Sequence, residues 1–551
     1  MSDSGNPIQF QTSTDAVIEA QKIIEATSII EYQSQGHALV VGPRDSALSI
    51  AEKLQQSGAT VVSIDAQAGG VDKQLTHDGI AVFTVNELQL SGHLGAYQAI
   101  ANPQTDSLDL AVSTYRESGA FDVVIDLSDK PCLAVSLLPF GYFRVTDDAS
   151  LAEALEQVPE LVGTFDKPKF FEYRESICAH SRSEITACTA CMDSCVAGAI
   201  QSAGEGIAVD PYLCQGCGAC STACPTGAIS YAYPKVVDAI TRTRELMSNA
   251  PIHTLVLHTE DLQVEVDAYA FNEHTLPLVV EEVSAFGMDY WSAMVCAGVQ
   301  RILIVQDASA EDPNRRVLAS QAKLFHRMLS GLRIDTPVVQ LAGSEAVFEL
   351  SNVPLPDSPL AALKPGLFAA QDNKRQTIRM AFDVLAEQYP PIEASQPLTT
   401  DSLFGRVSVS SDCTLCMACV SVCPGKALLD GQDTPALRLV EANCVQCGLC
   451  ENACPESAIT LEPRYLYSGI DARKIHTLKE EEPFHCIRCH KPFATHQMIN
   501  LMMGKLEGHW MFGDDSAKRR LKMCEDCRVK DMFENEAQGI EVHKKTPSDQ
   551  A

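Results

Sequence analysis

The sequence predicts a multidomain α/β chain that is interrupted by two cysteine-rich units and ends in a tail with paired cysteines. Three observations carry that prediction: strand and helix patterns between His37 and Asp65 and again beyond His253, four cysteine runs in two pairs, and two Cys-x-x-Cys knuckles near the C-terminus. At about 150 residues per domain, 551 residues make several domains rather than one. Hydrophobic residues at 46% and charged residues at 21% are ordinary for a chain that buries a core. The formal net charge of -30 gives a surface that repels phosphate backbones and anionic lipid, which argues against nucleic-acid and membrane-surface roles. No transmembrane segment is expected, because no apolar stretch approaches about 18 residues. The opening MSDSGNPIQFQTSTDAV has neither the basic nor the apolar region of a secretory signal, and a cytoplasmic location is expected. In that reducing setting the 22 cysteines are expected to serve metals or catalysis rather than disulfides.

The cysteines form an internal repeat. Cys413, Cys416, Cys419 and Cys423 precede Pro424, and Cys444, Cys447, Cys450 and Cys454 precede Pro455; both read C-x2-C-x2-C-x3-C-P. Cys214, Cys217, Cys220 and Cys224 with Pro225 repeat the run, and a degenerate copy precedes it in Cys188, Cys191 and Cys195. In that copy Ile185 holds the expected first cysteine position, Val196 replaces the proline, and Cys178 stands ten residues ahead of Cys188. Cys178 is assigned as the displaced ligand. The four runs end alike, at Ala199-Ile200, Ala228-Ile229, Ala427-Leu428 and Ala458-Ile459.

These runs resemble bacterial two-cluster ferredoxins, in which three close cysteines grip one [4Fe-4S] cluster and the fourth crosses to its neighbour. The resemblance implies four [4Fe-4S] clusters. Cluster one takes Cys178, Cys188, Cys191 and Cys224, and cluster two takes Cys214, Cys217, Cys220 and Cys195. Cluster three takes Cys413, Cys416, Cys419 and Cys454, and cluster four takes Cys444, Cys447, Cys450 and Cys423. Soft thiolates match iron in a way that carboxylates do not, and burial, charge and hydrogen bonds to sulfur set the potential.

In the tail, Cys486 and Cys489 pair with Cys524 and Cys527 as C-x2-C-x34-C-x2-C, two knuckles that suit one tetrahedral ion. Zinc in a zinc-ribbon-like tail is the first choice, with the long loop filled by an insertion containing a short helix from Met498 to Leu506. A rubredoxin-like iron is the alternative, although His490 and Arg528 stand where rubredoxins usually have glycine. A fifth cluster, with His485, His490 or His496 in place of a cysteine, is the third. The isolated Cys132 and Cys296 read as small apolar residues.

HALVVG, PRDSALSIAEKLQQSG and ATVVSID give strand, turn with helix, and strand, and they resemble a Rossmann opening. Gly42 and Ala47 fit the dinucleotide fingerprint and Asp65 falls at the ribose acid, but Arg44 stands where the second glycine belongs. Flavin or NAD is therefore a candidate ligand, and a purely structural domain is the competing reading. Further strands are expected at Ile80 to Thr84 and Phe121 to Leu127, with a Gly92 to Gly95 turn between them. A second α/β stretch has strands near His253 to His258, Arg301 to Gln306 and Val338 to Leu341. Ala285 to Ile334 resembles the small electron-transfer subunit of methyl-viologen-reducing hydrogenases without its paired cysteines. Ser351 to Ser402 is Pro-rich, with one helix from Lys374 to Gln388.

The expected order is a Rossmann-like α/β domain over 1–165, a two-cluster unit over 166–240, a second α/β domain over 241–350, a connector over 351–403, a second two-cluster unit over 404–465 and a metal-binding tail over 466–551. This order, with DVVIDLSDKP, SLFGRVSV, CTLCMACVSVCP and GHWMFGDDSAKRRLKMCEDC, resembles large iron-sulfur proteins encoded beside bacterial formate dehydrogenases. The resemblance implies a redox protein partner, a formate dehydrogenase-type molybdenum or tungsten enzyme, with the active-site chemistry in that partner. The leading expectation is an electron-transfer protein. A flavin- or NAD-linked oxidoreductase subunit and an accessory factor for dehydrogenase cofactor assembly are the alternatives, so the sequence leaves open whether the chain is itself an enzyme.

Overall fold

Short runs of consecutive apolar residues make strands that are buried on both faces, and two such sets build one mostly parallel and one all-parallel sheet. A computed structural model describes residues 28–537 except 55–57, 66–70, 77–78, 105–106, 115–118, 248–250, 308, 310, 356–357, 366–370, 433 and 507–514. The opening segment and the GHWMFGD portion of the tail motif lie outside the described residues. The chain divides into two units, one of residues 1–175 with 189–388 and the other of 176–188 with 389–551. Among the described residues no helix is long and apolar enough to cross a membrane.

The first sheet of unit one has the order Tyr142–Arg144, Val123–Asp126, Ala38–Val41, Ala59–Ile64, Ala81–Val85 and Asp72–Leu75, parallel except for the last strand. The expected strands are present within a residue or two. Alternation along each strand sends Leu39, Val41, Val62 and Phe83 to one face, where Tyr97, Leu110 and Phe121 cover them. Val40, Val61 and Val82 go to the other face, under Ala47, Ile50 and Ala51 of the Arg44–Lys53 helix. Chain order reverses on either side of Ala38–Val41, which is where open α/β sheets form a crevice. An antiparallel ribbon of Ile29–Ser34 with Gly163–Pro168 carries Tyr32 and Lys167 to the cysteine run at Cys214.

The second sheet is all parallel, with the order Thr275–Val279, Thr254–His258, Arg301–Val305 and Val339–Ala342. The Met288–Cys296 helix is buried at every residue, including Asp289 and Ser292, whose hydroxyl donates to the carbonyl of Met288 at 2.6 Å. The Lys374–Gln388 helix has the bounds the sequence predicts, and it buries Ile378, Ala381, Phe382 and Leu385 within the first unit. Phe382 meets Phe325 edge-on at 5.9 Å, and the Cys296 thiol donates to the carbonyl of Ala381 at 3.3 Å. Burial pushes that thiol up to about 12, so Cys296 behaves as an apolar filler.

In unit two, Gly405–Val409 pairs with Ile459–Leu466, and Leu428–Asp430, Ala436–Val440 and Ile475–Glu480 form a second small sheet. Between these strands lie the cysteine loops. The tail follows as a hairpin of Pro483–His485 with Pro492–Thr495 and helices His496–Leu506, Asp515–Leu521 and Glu525–Ala537.

Candidate metal centres

Each complete run bends through two left-handed residues at fixed positions, two and four places after the first cysteine. They are Gly216 and Gly218 in one run, Leu415 and Met417 in the next, and Gln446 and Gly448 in the last. Such bends turn successive amide N–H groups inward, a shape suited to anionic groups such as thiolates and sulfide. In the degenerate run, counted from Ile185 at the first cysteine position, the corresponding residues are Ala187 and Thr189, and neither is left-handed. That run therefore has a different local shape.

Gly218 shows why one bend requires glycine. Its φ is +75°, and a Cβ there would stand 2.5 Å from the Cβ of Ala285. Gly218→Ala combines a left-handed penalty of about 1–2 kcal/mol with overpacking. The expected result is a lower denaturant midpoint for loss of visible absorbance, with less iron per chain.

The recurrent alanine after each run has a physical reason. The N–H of Ala199 donates to Cys195 Sγ at 3.2 Å, that of Ala427 to Cys423 Sγ at 3.2 Å and that of Ala458 to Cys454 Sγ at 3.3 Å. In the remaining run Thr226 intervenes: its hydroxyl takes the N–H of Ala228 at 3.1 Å and lies 3.5 Å from Cys224 Sγ. All four alanines are buried.

Two cavities in unit two are lined by cysteines from both runs. One is bounded by Cys413, Cys416, Cys419 and Cys454 with Leu437 and Ile459; the other by Cys444, Cys447, Cys450 and Cys423 with Val407, Leu428, Leu439 and Leu461. The last cysteine of each run thus faces the other run's loop. The Gln446 side-chain amide donates to Cys444 Sγ at 3.1 Å. In unit one, Cys195 lies close enough to Cys217 and Cys220 to oppose their ionisation. Burial is the larger cause, and it pushes Cys217 and Cys447 each up to about 12. Four buried thiolates are therefore unfavourable together unless a cationic group compensates them, which fits an iron-sulfur core at these positions.

A hairpin lies between Cys178 and Cys188. Ser181–Arg182 and Ile185–Thr186 form a short hairpin whose turn is made by Ser183 and Glu184, both left-handed. The hairpin brings the chain back on itself, so that the N–H of Cys188 donates to the carbonyl of Ala179 at 3.2 Å and that of Ala187 to His180 at 2.8 Å. The ten residues that separate Cys178 from Cys188 thus contain a hairpin that returns Cys188 to the residue after Cys178. Cys188 also adds to the upward shift of Cys447, behind burial, Cys423 and Cys444.

The tail cysteines are packed differently. Cys486, Cys489, Cys524 and Cys527 have sulfur atoms all within 4.8 Å of one another, and Cys489 Sγ lies 3.6 Å from Cys524 Sγ. A tetrahedral ion with bonds of about 2.3 Å sets its sulfurs about 3.8 Å apart. The set fits one ion. A cubane cluster, with one iron behind each thiolate at separate corners, needs them farther apart, so the fifth-cluster alternative is set aside. Burial opposes ionisation of Cys486, but N–H groups of Cys489, Cys524 and Arg488 outweigh it and hold the thiol below its usual range. His490 takes a left-handed φ of 60°, so it bends as a glycine would at that place in a rubredoxin knuckle. The ring of His496 packs on Phe484 at 5.0 Å. The insertion contains the expected helix, as His496–Leu506, together with Asp515–Leu521.

The nucleotide candidates form no comparable site. Gly42 has φ +156°, and a Cβ there would meet the Cβ of Leu127 at 2.8 Å, so packing alone explains the glycine. Ala47 is buried beneath the sheet, and Asp65 is exposed at a strand end. Arg44 donates to Gln74 at 2.5 Å. In the crevice, Asp126 is buried and accepts from Tyr142, Ser128 and the N–H of Cys132, with Arg144 at 3.1 Å. Burial opposes its charge, but the Ser128 and Tyr142 hydrogen bonds outweigh it and keep the carboxyl below its usual range. Burial and then Asp126 push Cys132 up to about 11.

Sequence reasoning missed the lysines that hold these loops. Lys167 donates to the carbonyls of Tyr212 and Cys214, Lys374 to those of Ser221, Thr222 and Cys224, and Lys479 to those of Ser411 and Cys413. None is adjacent to its run in sequence, so no local signal marks them.

Comparison with known families gives two matches. Residues 207–230 match the 4Fe-4S binding domain, and residues 412–459 match the 4Fe-4S dicluster domain. The first match covers the complete run from Cys214 to Cys224; the second covers both runs of unit two. No curated protein matches the chain. The chain is an iron-sulfur protein with ferredoxin-type domains, and these support a role in electron transfer.

Proposed function

We propose that the chain is a multicluster electron carrier with four [4Fe-4S] clusters, two in each two-cluster unit, held by the crossed cysteine sets given above. The observation that carries this reading is the pair of cavities in unit two, each lined by three cysteines of one run and the last cysteine of the other. When bound, a cluster takes up and returns one electron at a time. The protein's own residues exclude water with Leu437, Ile459, Leu428 and Leu439 and direct N–H groups at sulfur. Among the cysteines of the two complete runs in unit two, Cys416 alone is exposed, so cluster three is the one a partner reaches most directly.

The partner is read as a redox protein, specifically a formate dehydrogenase-type molybdenum or tungsten enzyme, on the likeness of the quoted segments to proteins encoded beside such enzymes. The tail is read as a zinc-ribbon-like module with one zinc ion. The first domain is read as Rossmann-like, supported by the strand order that reverses at Ala38–Val41. The six-part division of the chain and the cytoplasmic location belong to the same reading.

The test uses anaerobically purified full-length protein. About sixteen cluster irons per chain are expected, together with a visible band that dithionite bleaches and NADH alone does not. A hydride carries two electrons, and a flavin or equivalent must divide them before a cluster accepts one. Bleaching by NADH alone would move the function to the N-terminal domain. About eight irons per chain would overturn the four-cluster reading.

A further inference from the structure

The first cysteines of two different runs are held in the same way by lysines from unrelated parts of the chain. Lys167 precedes its run, on Gly163–Pro168, and donates to the carbonyl of Cys214 at 2.8 Å and to that of Tyr212 at 3.1 Å. Lys479 follows its run, on Ile475–Glu480, and donates to the carbonyl of Ser411 at 2.9 Å and to that of Cys413. In both cases the acceptors are the first cysteine and the residue two places before it. The two lysines lie outside the repeated segments, so the match is not a by-product of the repeat.

A carbonyl is satisfied by an amide or hydroxyl donor, at less desolvation cost than a buried ammonium. Lys167 nevertheless sits 7% exposed, stacked over Tyr32 with its Nζ 4.9 Å from the ring centre. What an ammonium adds to a hydrogen bond is charge. A fixed positive charge beside a cysteine loop favours the more negative, reduced state of whatever redox group the loop carries. We propose that Lys167 and Lys479 are potential-setting residues, raising the reduction potentials of clusters two and three respectively. This rests on the four-cluster reading.

The two sites differ in a way that orders the effects. Lys479 is paired with Glu481 at 3.0 Å, which offsets part of its charge. Among the described residues Lys167 has no carboxylate at ion-pair distance. Removing the charge at Lys167 therefore moves its cluster further than the same change at Lys479.

The experiment is an EPR-monitored reductive titration of the full chain as wild type, Lys167→Gln, Lys479→Gln, the double variant, and Lys167→Arg. Glutamine keeps a donor and removes the charge; arginine keeps the charge. In Lys167→Gln one midpoint is expected to fall, with about a tenfold weaker reduction equilibrium, or ~59 mV for one electron. In Lys479→Gln a different midpoint falls by less. The double variant shows both shifts, and Lys167→Arg stays near wild type, each with unchanged iron. Unmoved midpoints at full iron would overturn the assignment while leaving the clusters standing. Equal shifts in Lys167→Gln and Lys167→Arg would also overturn it, by making the lysine a steric clamp. Absence of cluster signals in the wild type would instead sink the four-cluster reading.

Discussion

Cys454→Ala is expected to empty the cavity formed with Cys413, Cys416 and Cys419, although Cys454 belongs in sequence to the other run. The cavity contains Cys454 as its fourth cysteine, and the N–H of Ala458 is already aimed at that sulfur. About four of about sixteen irons should be lost, a quarter of the total, because the remaining three thiolates leave one corner of a cubane unligated. The effect should spread. On the crossed reading the loop from Cys444 to Cys454 is tied to its partner run through Cys454, and ligand binding supplies folding free energy to such loops. Residues 404–466 should become protease-sensitive, and the neighbouring cluster should bleach more readily in air. Cys296→Ala is the matched control: a buried thiol with a backbone acceptor, outside the cysteine runs, whose loss should cost about 1 kcal/mol and no iron. Full iron and unchanged proteolysis in Cys454→Ala would remove the crossed assignment.

How far the sequence reaches is clear from particular residues. Cysteine spacing identifies the loops because a tight turn with inward N–H groups leaves few other spacings, and the alanine after each run is visible as a recurrent buried residue whose N–H meets a cysteine sulfur in three runs and Thr226 in the fourth. The Lys374–Gln388 helix is legible from its periodicity, but not its burial in the first unit, which depends on Phe325 and Trp291 far away in sequence. Strands of two residues, Ser181–Arg182 and Ile185–Thr186, are too short to announce a hairpin, so the turn at Ser183 and Glu184 between Cys178 and Cys188 is not legible in the sequence. Leu415, Met417 and Gln446 bend left-handed without being glycine, and only the equivalence of the runs betrays them. Gly42 carries the opposite lesson: a residue that fits a nucleotide fingerprint is required by the approach of Leu127. The grouping of 176–188 with the second unit has no local signal at all.

Removal of the tail ion is expected to unfold the C-terminal module while most of the visible absorbance persists. Among the described residues the core cluster there is Cys486, Met523, Cys524 and Cys527 with Phe493 packed against it, and Ile499 and Leu521 are the other buried apolar side chains, little apolar surface for a hairpin and three helices. An ion held by the four thiolates would supply the missing free energy, of order 10 kcal/mol for such a site. Cys524→Ala, or a strong chelator, should abolish protection of the backbone amides in 483–537, and metal analysis of the intact protein should find one zinc beyond the cluster iron. One consequence reaches further. Gln497, in the first turn of the His496–Leu506 helix, donates to the carbonyl of Ser411 at 3.2 Å and accepts from Lys479 at 2.7 Å, and Lys505 pairs with Glu456 at 3.4 Å. Ser411 and Lys479 both belong to the frame of Cys413, and Glu456 lines the cavity of Cys413, Cys416 and Cys419. Loss of the tail ion should therefore alter the EPR signal of cluster three and leave that of cluster two unchanged. Retained amide protection after complete ion loss would show that the module folds without metal; one extra iron in place of zinc would convert it to a rubredoxin-like site with the same fold dependence.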